Sequence, residues 1–195
     1  MRRVLYYKII FIFEFIECAS WHIPTRITMK FKYYKQYRLP EFDYSSDNGY
    51  FITVCTQNRE HYFGKIENAE MYFTEIGLEV EHLFEKVNNN LDYIKIHHYV
   101  VMPNHIHFIA VINNPNHKEQ EIVKGIQPLV PKSISSFTNH FKGKIKRWCN
   151  ENGFENFEWQ SRFHDRIIRD KEEYQAIRYY IRNNVSNWEK DKENS

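Results

Sequence analysis

The chain has 195 residues, of which 42% are hydrophobic and 17% aromatic, and its formal net charge at pH 7 is +2. This length fits one domain with at most a short appendage, and the apolar share excludes disorder throughout the chain. The cysteines Cys18, Cys55 and Cys149 lie far apart, which argues against a disulfide framework and a cysteine-based zinc site and favours a reducing, cytoplasmic setting.

The start of the chain differs in composition from the rest. An apolar run follows two arginines, as in a signal peptide, but Lys8, Glu14 and Glu17 interrupt it. The run is therefore too short and too charged for export or for crossing a membrane. We interpret residues 1–28 as an N-terminal extension without a catalytic group, either the product of an upstream start site or an ordered helix. Residues 29–195 would then form the catalytic domain.

Strand-like and helix-like segments alternate along the rest of the chain. Residues rich in β-branched and aromatic side chains predict strands, and apolar residues at helical spacing predict helices, the first of them capped by Thr74. The predicted elements are a strand at 50–57, a helix at 74–86, strands at 92–102 and 105–112, a loop from 113 to about 132, a helix from Ser133, a strand at 163–168 and a helix at 170–184.

This order, β-α-β-β-α-β-α, predicts an α+β fold of the ferredoxin-like, or split βαβ, type. Such a domain has an antiparallel sheet with helices on one face, to which this chain adds a C-terminal helix carrying a tyrosine. His97 and His98 in the second strand are expected to point to opposite faces and to be structural. The fold hosts many functions, so function depends on particular side chains.

His105 and His107 form the most distinctive chemical motif. Residues two apart in a strand point to the same face, so both imidazoles project from the third strand on one side. Such a pair can bind one divalent metal if a third ligand comes from elsewhere in the fold. The alternative is two histidines packed on a half-buried sheet, because His-x-His is common by chance.

The last predicted helix carries a second candidate group. Tyr180 and Asn184 are four residues apart and share one helical face. Asn184 would complete a His-His-Asn site that suits Mg²⁺ or Mn²⁺, and Tyr180 would attack a DNA phosphate. A metal on that phosphate would lower the need for a preformed phenolate, which is scarce at neutral pH. The alternative for Tyr180 is a core aromatic residue.

Basic residues in two regions are candidates for binding DNA phosphates. The segment 122–150 contains no Asp or Glu, and two arginines share a face with His164 around the fourth strand. An ordinary solvated surface is the alternative for both regions. The candidate DNA-binding residues are Lys142, Lys144, Lys146, Arg147, Arg162 and Arg166.

Longer strings carry a more specific pattern. They are VVMPNHIHFIAVI, WQSRFHDRIIRDKEEYQAIRYYIRNN and YRLPEFDYSSDNGYFITVCTQNRE. Together they resemble the REP-associated branch of HUH single-tyrosine transposases, from about residue 34 to residue 193. The resemblance implies a ferredoxin-like catalytic domain, a divalent metal, and cleavage of single-stranded DNA near hairpin-forming repeats through a 5′-phosphotyrosine. It also leaves open a homodimer in which the tyrosine helix is exchanged between subunits.

The resemblance carries over residue by residue. It implies metal-binding histidines at His105 and His107 and a metal-associated polar residue at Asn184. The nucleophile falls on Tyr180 rather than Tyr179, because the Tyr-Ile-x-x-Asn spacing begins there.

The chain departs from the family pattern at two positions. Val185 stands where the family commonly has proline, and Arg166 stands where it commonly has a histidine in the fourth strand. His164, two residues before Arg166, is the alternative holder of that role.

Other functions remain open at this stage. A non-catalytic or domesticated nucleic-acid-binding protein could have the same fold, since RNA-recognition domains share this element order but carry stacking aromatic residues in their central strands. A small metallohydrolase acting through metal-bound water would keep full activity without Tyr180.

Overall fold

The computed structural model describes residues 44–114 and 130–190. The predicted extension at 1–28 and most of the predicted loop after residue 113 lie outside the described residues. No helix within the two described ranges is long and apolar enough to span a bilayer. The elements are β1 (Gly49–Cys55), β2 (Gly64–Glu67), β3 (Glu70–Phe73), α1 (Glu75–Asn90), β4 (Ile94–Val101), β5 (His105–Ile112), α2 (Ile134–Glu151), β6 (His164–Ile168), α3 (Lys171–Asn183) and a 3₁₀ turn (Val185–Lys190).

Four of the strands form one antiparallel sheet in the order β4-β5-β1-β6. The two central strands, β5 and β1, are adjacent in the sheet although α1 and β4 separate them in the sequence. This arrangement confirms the predicted α+β class with an antiparallel sheet. It also brings β5, which carries the His-x-His motif, beside β1.

The two faces of the sheet are covered by different helices. Ile106 and Phe108 of β5 are fully buried, and the Phe108 ring lies 5.4 Å from Phe84 of α1 and 6.3 Å from Phe141 of α2. Helices α1 and α2 therefore pack on the face towards which Phe108 points. Helix α3 packs against β4 and β5. Since Tyr180 of α3 contacts the histidine preceding Phe108, α3 lies on the opposite face.

Side-chain caps begin the three helices. The Thr74 hydroxyl accepts a hydrogen bond from Gly77 N at 3.2 Å, which confirms the predicted cap. Helix α1 continues past its predicted end to Asn90, and Asn88 in this added turn pairs with β4: its side chain donates to Ile96 O and accepts from Ile96 N. Ser133 and Asp170 cap α2 and α3 in the same way as Thr74 caps α1.

A short hairpin formed by β2 and β3 was not predicted. Its two strands have four residues each and are joined at Asn68 and Ala69, which both have positive φ angles, 52° and 60°. Positive φ at both central residues is typical of a tight hairpin turn. Alanine is an uncommon residue at such a position, so local sequence carried little signal for this turn.

A bulge in β4 changes the direction of two histidines. The pairing of β4 with β5 shifts register between Ile96 and His98, so His97 is the extra residue of the bulge. The His97 ring lies within hydrogen-bond distance of the Tyr174 hydroxyl of α3, 3.1 Å, and the His98 ring lies 6.2 Å from the Tyr174 ring. The expectation that the two point to opposite faces is therefore wrong, because the extra residue interrupts the alternation of the strand.

Candidate active site

The imidazoles of His105 and His107 lie side by side on the α3 face of the sheet. Both are buried, and their ring centroids are 4.5 Å apart. Ile106 between them points to the other face and packs in the main core. The regular two-residue alternation of β5 thus brings together the two nitrogen donors that the sequence motif suggests.

Each imidazole is oriented by a hydrogen bond at Nδ1. His105 Nδ1 lies 2.8 Å from Asn104 Oδ1, so it carries the proton and donates. His107 Nδ1 lies 2.7 Å from the Thr53 hydroxyl, in the register position of β1 directly opposite. Both Nε2 atoms are thereby turned away from these partners. A histidine whose Nδ1 proton is held in this way presents its Nε2 lone pair to a metal.

Tyr180 of α3 contacts one of the two histidines. Its hydroxyl lies 3.1 Å from His107 Nε2, and its ring packs edge-on against Phe51 of β1 at 6.1 Å. Tyr179, the neighbouring tyrosine, is 58% exposed and points away from the sheet. The pitch of the helix therefore directs only the second tyrosine of the pair towards the histidines.

Two buried polar groups, one on β5 and one at the end of α3, have unused hydrogen-bonding capacity within the described residues. His105 Nε2 and both polar atoms of the Asn184 amide are buried and have no hydrogen-bond partner in the part of the chain that the structure describes. Asn184 is 2% exposed and follows Tyr180 by one helical turn, on the side of α3 that faces the sheet. Such atoms cost free energy unless something binds them, so unsatisfied buried groups point to a ligand.

The available donors fit a divalent metal. Two imidazole nitrogens and an amide oxygen form a mixed nitrogen–oxygen ligand set. Such a set suits Mn²⁺ or Mg²⁺, whereas zinc prefers sulfur-rich sites. Among the residues that the structure describes, no cluster of three His, Cys, Asp or Glu side chains is placed to bind a metal. Asn184 is outside these residue types, and its buried amide oxygen has no hydrogen-bond partner within the described ranges.

Both histidines are kept neutral at pH 7. Burial, followed by the nearby His164 and Arg59, lowers the pKa of His107 from 6.5 to about 3. Burial, followed by His107, Arg59 and His61, places the pKa of His105 well below 6.5. Metal ligation requires the unprotonated imidazole, so neither histidine would have to lose a proton first.

Several residues at the site were not identified from sequence. Thr53 and Asn104 orient the histidines, and the Trp188 ring stacks against His105 with centroids 6.0 Å apart. Asn104 directly precedes the motif, and Pro-Asn at this place is typical of a turn rather than of a residue that orients a histidine. The period of β1 places Thr53 on one face, but its partner across the sheet cannot be read from local sequence.

Strand β6 brings a third histidine to the sheet face on which α3 packs. His164 lies opposite Thr53 in the register of β6 with β1, in the row that also contains His107. Its side chain is open to solvent on one side and desolvated by neighbouring groups on the other, and this desolvation, followed by the charge of Arg59, lowers its pKa from 6.5. Arg166 lies on the same face but makes an ion pair with Glu173 in the first turn of α3. Arg162 is exposed just before β6.

The basic residues of α2 lie away from these groups, on the opposite face of the sheet. Lys142 donates to Gln160 O at 2.7 Å, and Lys146 donates to Phe157 O at 2.7 Å, so both lysines support the segment that precedes β6. Lys146 also pairs with a glutamate of that segment. The other two predicted DNA-binding residues of this helix, Lys144 and Arg147, are exposed.

Comparison with known proteins found a relative in sequence and a solved structure with the same fold. No protein-family profile matches the chain. The chain is 33% identical over 161 residues to an uncharacterized protein of Haemophilus influenzae, covering 79% of this chain and 89% of that protein. A solved structure of a REP-associated tyrosine transposase bound to a REP hairpin shares the fold, with a TM-score of 0.55, 22% sequence identity, and coverage of 80% of this chain and 74% of the other.

Proposed function

This chain belongs to one family with the Haemophilus influenzae protein, and we propose that it is a single-tyrosine transposase, a metal-dependent endonuclease and strand transferase acting on single-stranded DNA. The fold shared with a hairpin-binding transposase supports a DNA partner with hairpin-forming repeats. The strand order β4-β5-β1-β6 supports the ferredoxin-like interpretation. The observation that carries the proposal is the 3.1 Å contact between the Tyr180 hydroxyl and His107 Nε2, beside the unpaired Nε2 of His105.

The residues around this contact could together bind a divalent metal. His105 and His107 would hold Mg²⁺ or Mn²⁺ through Nε2, with the Asn184 amide oxygen as a third ligand. When bound, the ion supplies electrostatic stabilisation of the charge that develops at the scissile phosphate. Thr53 and Asn104 hold the two rings in the orientation and tautomer that ligation needs.

Tyr180 supplies the nucleophile. Its phenol oxygen forms a bond to phosphorus while the bond from phosphorus to the 3′ oxygen breaks, so the phenol loses a proton and the released 3′-hydroxyl gains one. The product is a 5′-phosphotyrosine ester, and the reverse attack by a 3′-hydroxyl joins strands without an external energy source. In the metal-free protein the hydrogen bond to His107 Nε2 and the packing on Phe51 restrict the phenol, and a metal bound at Nε2 would take the place of that hydrogen bond.

Two variants at adjacent positions test the nucleophile. The full chain would be incubated with labelled single-stranded hairpin DNA and Mn²⁺, and products would be resolved on denaturing gels that retain protein–DNA adducts. We expect a covalent adduct and a cleaved strand with the unmodified protein and with Tyr179→Phe, whose exposed ring serves as the matched control. Tyr180→Phe should give neither product.

The same gels separate the alternatives. Cleavage that persists in Tyr180→Phe would contradict the tyrosine mechanism and favour a hydrolase that uses metal-bound water. DNA binding without cleavage or adduct in any divalent metal would favour the non-catalytic nucleic-acid-binding protein.

A further inference from the structure

A cationic surface lies on the flank of α3 opposite to Tyr180. Arg178 and Arg182 are four residues apart on this helix, so they share one face and are separated by about 6 Å along its axis. At about 100° per residue, each is about 160° around the helix from Tyr180. We call these two arginines, together with His98 on β4, the α3 flank cluster.

His98 links the two arginines to the sheet edge. The bulge in β4 turns it towards α3, where its ring lies 6.2 Å from Tyr174. Burial, followed by the positive charges of Arg178, His97 and Arg182, lowers the pKa of His98 from 6.5 to about 4. The guanidinium charges of Arg178 and Arg182 both disfavour protonation of His98, which leaves its imidazole neutral.

The arginines have no anionic partner within the described ranges. Neither Arg178 nor Arg182 forms a salt bridge there, and the polar contact of Arg178 is a 3.4 Å hydrogen bond from Nη1 to Gln175. The Nε atom of Arg178 is buried and has no hydrogen-bond partner among the described residues. A buried guanidinium N–H without a partner, in a cluster without carboxylates, favours an anion from outside the protein.

The basic residues of α2 are less suited to the same task. Lys142 and Lys146 already donate to backbone carbonyls of the segment before β6. Helix α2 also lies on the sheet face opposite to α3. A strand bound along α2 would therefore lie on the far side of the sheet from Tyr180.

We propose that the α3 flank cluster binds backbone phosphates of the DNA strand, at positions flanking the cleaved phosphate. This inference rests on the proposed function for the identity of its ligand. The arginines provide charge-assisted hydrogen bonds to phosphate oxygens, and the His98 ring nitrogen that carries the proton can donate a further one. Because the cluster and Tyr180 belong to one helix, DNA held there has a defined position relative to the nucleophile.

Salt-dependent DNA binding without metal tests the cluster separately from cleavage. The full chain in EDTA would be titrated against a fluorescent single-stranded hairpin oligonucleotide, with anisotropy measured at several salt concentrations. Losing two phosphate contacts should lower the slope of log K against log salt by about 1.4, at about 0.7 per contact for a single strand. Raising the salt from about 50 to 200 mM weakens DNA binding by both proteins. The weakening should be roughly sevenfold smaller for Arg178→Gln/Arg182→Gln than for the unmodified protein.

Three further variants make the result specific. Lys65→Gln/Lys86→Gln removes the same charge from exposed positions on β2 and α1 and should keep the slope. Arg178→Lys/Arg182→Lys retains the charge and should keep most of the salt-dependence slope. An unchanged slope in Arg178→Gln/Arg182→Gln would overturn the inference, as would a loss confined to the exposed α2 pair, Lys144→Gln/Arg147→Gln.

The outcome is distinguishable from failure of the proposed function. A protein that binds DNA through the cluster but never forms the tyrosine adduct would support this inference and contradict the proposed function. A protein that cuts DNA with an unchanged salt slope in the glutamine variant would do the reverse. No binding of the hairpin oligonucleotide by the unmodified protein at any of these salt concentrations would contradict both.

Discussion

Replacing Thr53 by valine tests whether the candidate site is preorganised. The hydroxyl lies 2.7 Å from His107 Nδ1, and Thr53 is only 7% exposed, so water cannot readily take its place. Valine has nearly the same shape but no hydroxyl, so Nδ1 would lose its partner. Leaving one buried polar group unsatisfied costs about 1–3 kcal/mol, and loss of a partner that orients a metal ligand typically costs about 10–100-fold in metal affinity or activity.

Two measurements are needed because stability and metal binding are separate consequences. Urea unfolding in EDTA should show Thr53→Val to be less stable by about 1–3 kcal/mol. Calorimetric titration with Mn²⁺ should show the weaker binding at equal protein concentration. Thr53→Ser keeps the hydroxyl and should stay close to the unmodified protein in metal affinity. Mn²⁺ binding by Thr53→Val as tight as that of the unmodified protein would refute the orienting role.

Three other changes have defined outcomes. Asn184→Leu removes two buried unsatisfied atoms, so it should stabilise the metal-free protein by about 1 kcal/mol in urea unfolding while abolishing tight Mn²⁺ binding; a destabilised variant that still binds Mn²⁺ would contradict this. Since His107 has a folded pKa of about 3 against 6.5 unfolded, the unfolded chain binds more protons between these values, and stability should fall as pH falls through that window. The urea midpoint of His107→Gln should depend less on pH there, and an equally steep dependence would argue against a buried neutral His107. Trp188→Ala removes the ring stacked on His105 and should weaken Mn²⁺ affinity measured by titration. An unchanged affinity would show that Trp188 does not help to orient His105.

Regular local periodicity made part of the site predictable. The His-x-His pair lies in a strand without a bulge, so its two-residue alternation alone puts both rings on one face. The spacing of Tyr180 and Asn184 similarly determines that they share a helical face. The α+β class followed from the order of strand-like and helix-like segments, which the antiparallel sheet confirms.

Features that depend on pairing across the sheet could not be predicted from local sequence. The contact of Thr53 with His107 depends on the register of β1 against β5, which are separated by α1 and β4. The bulge at His97 has no local signal, so the prediction that His97 and His98 point to opposite faces was wrong, and the α3 flank cluster was missed. The basic composition of α2 drew attention to lysines that the structure uses to support its own backbone.

The central claim is that a cation lies between the two histidines and the tyrosine helix. Crystals of the protein soaked with Mn²⁺ would be measured at a wavelength where manganese scatters anomalously. The account predicts one strong anomalous peak bonded to His105 Nε2 and His107 Nε2, with Asn184 and the Tyr180 hydroxyl beside it. A map with no peak at that position, under conditions in which the same protein cuts DNA, would contradict it.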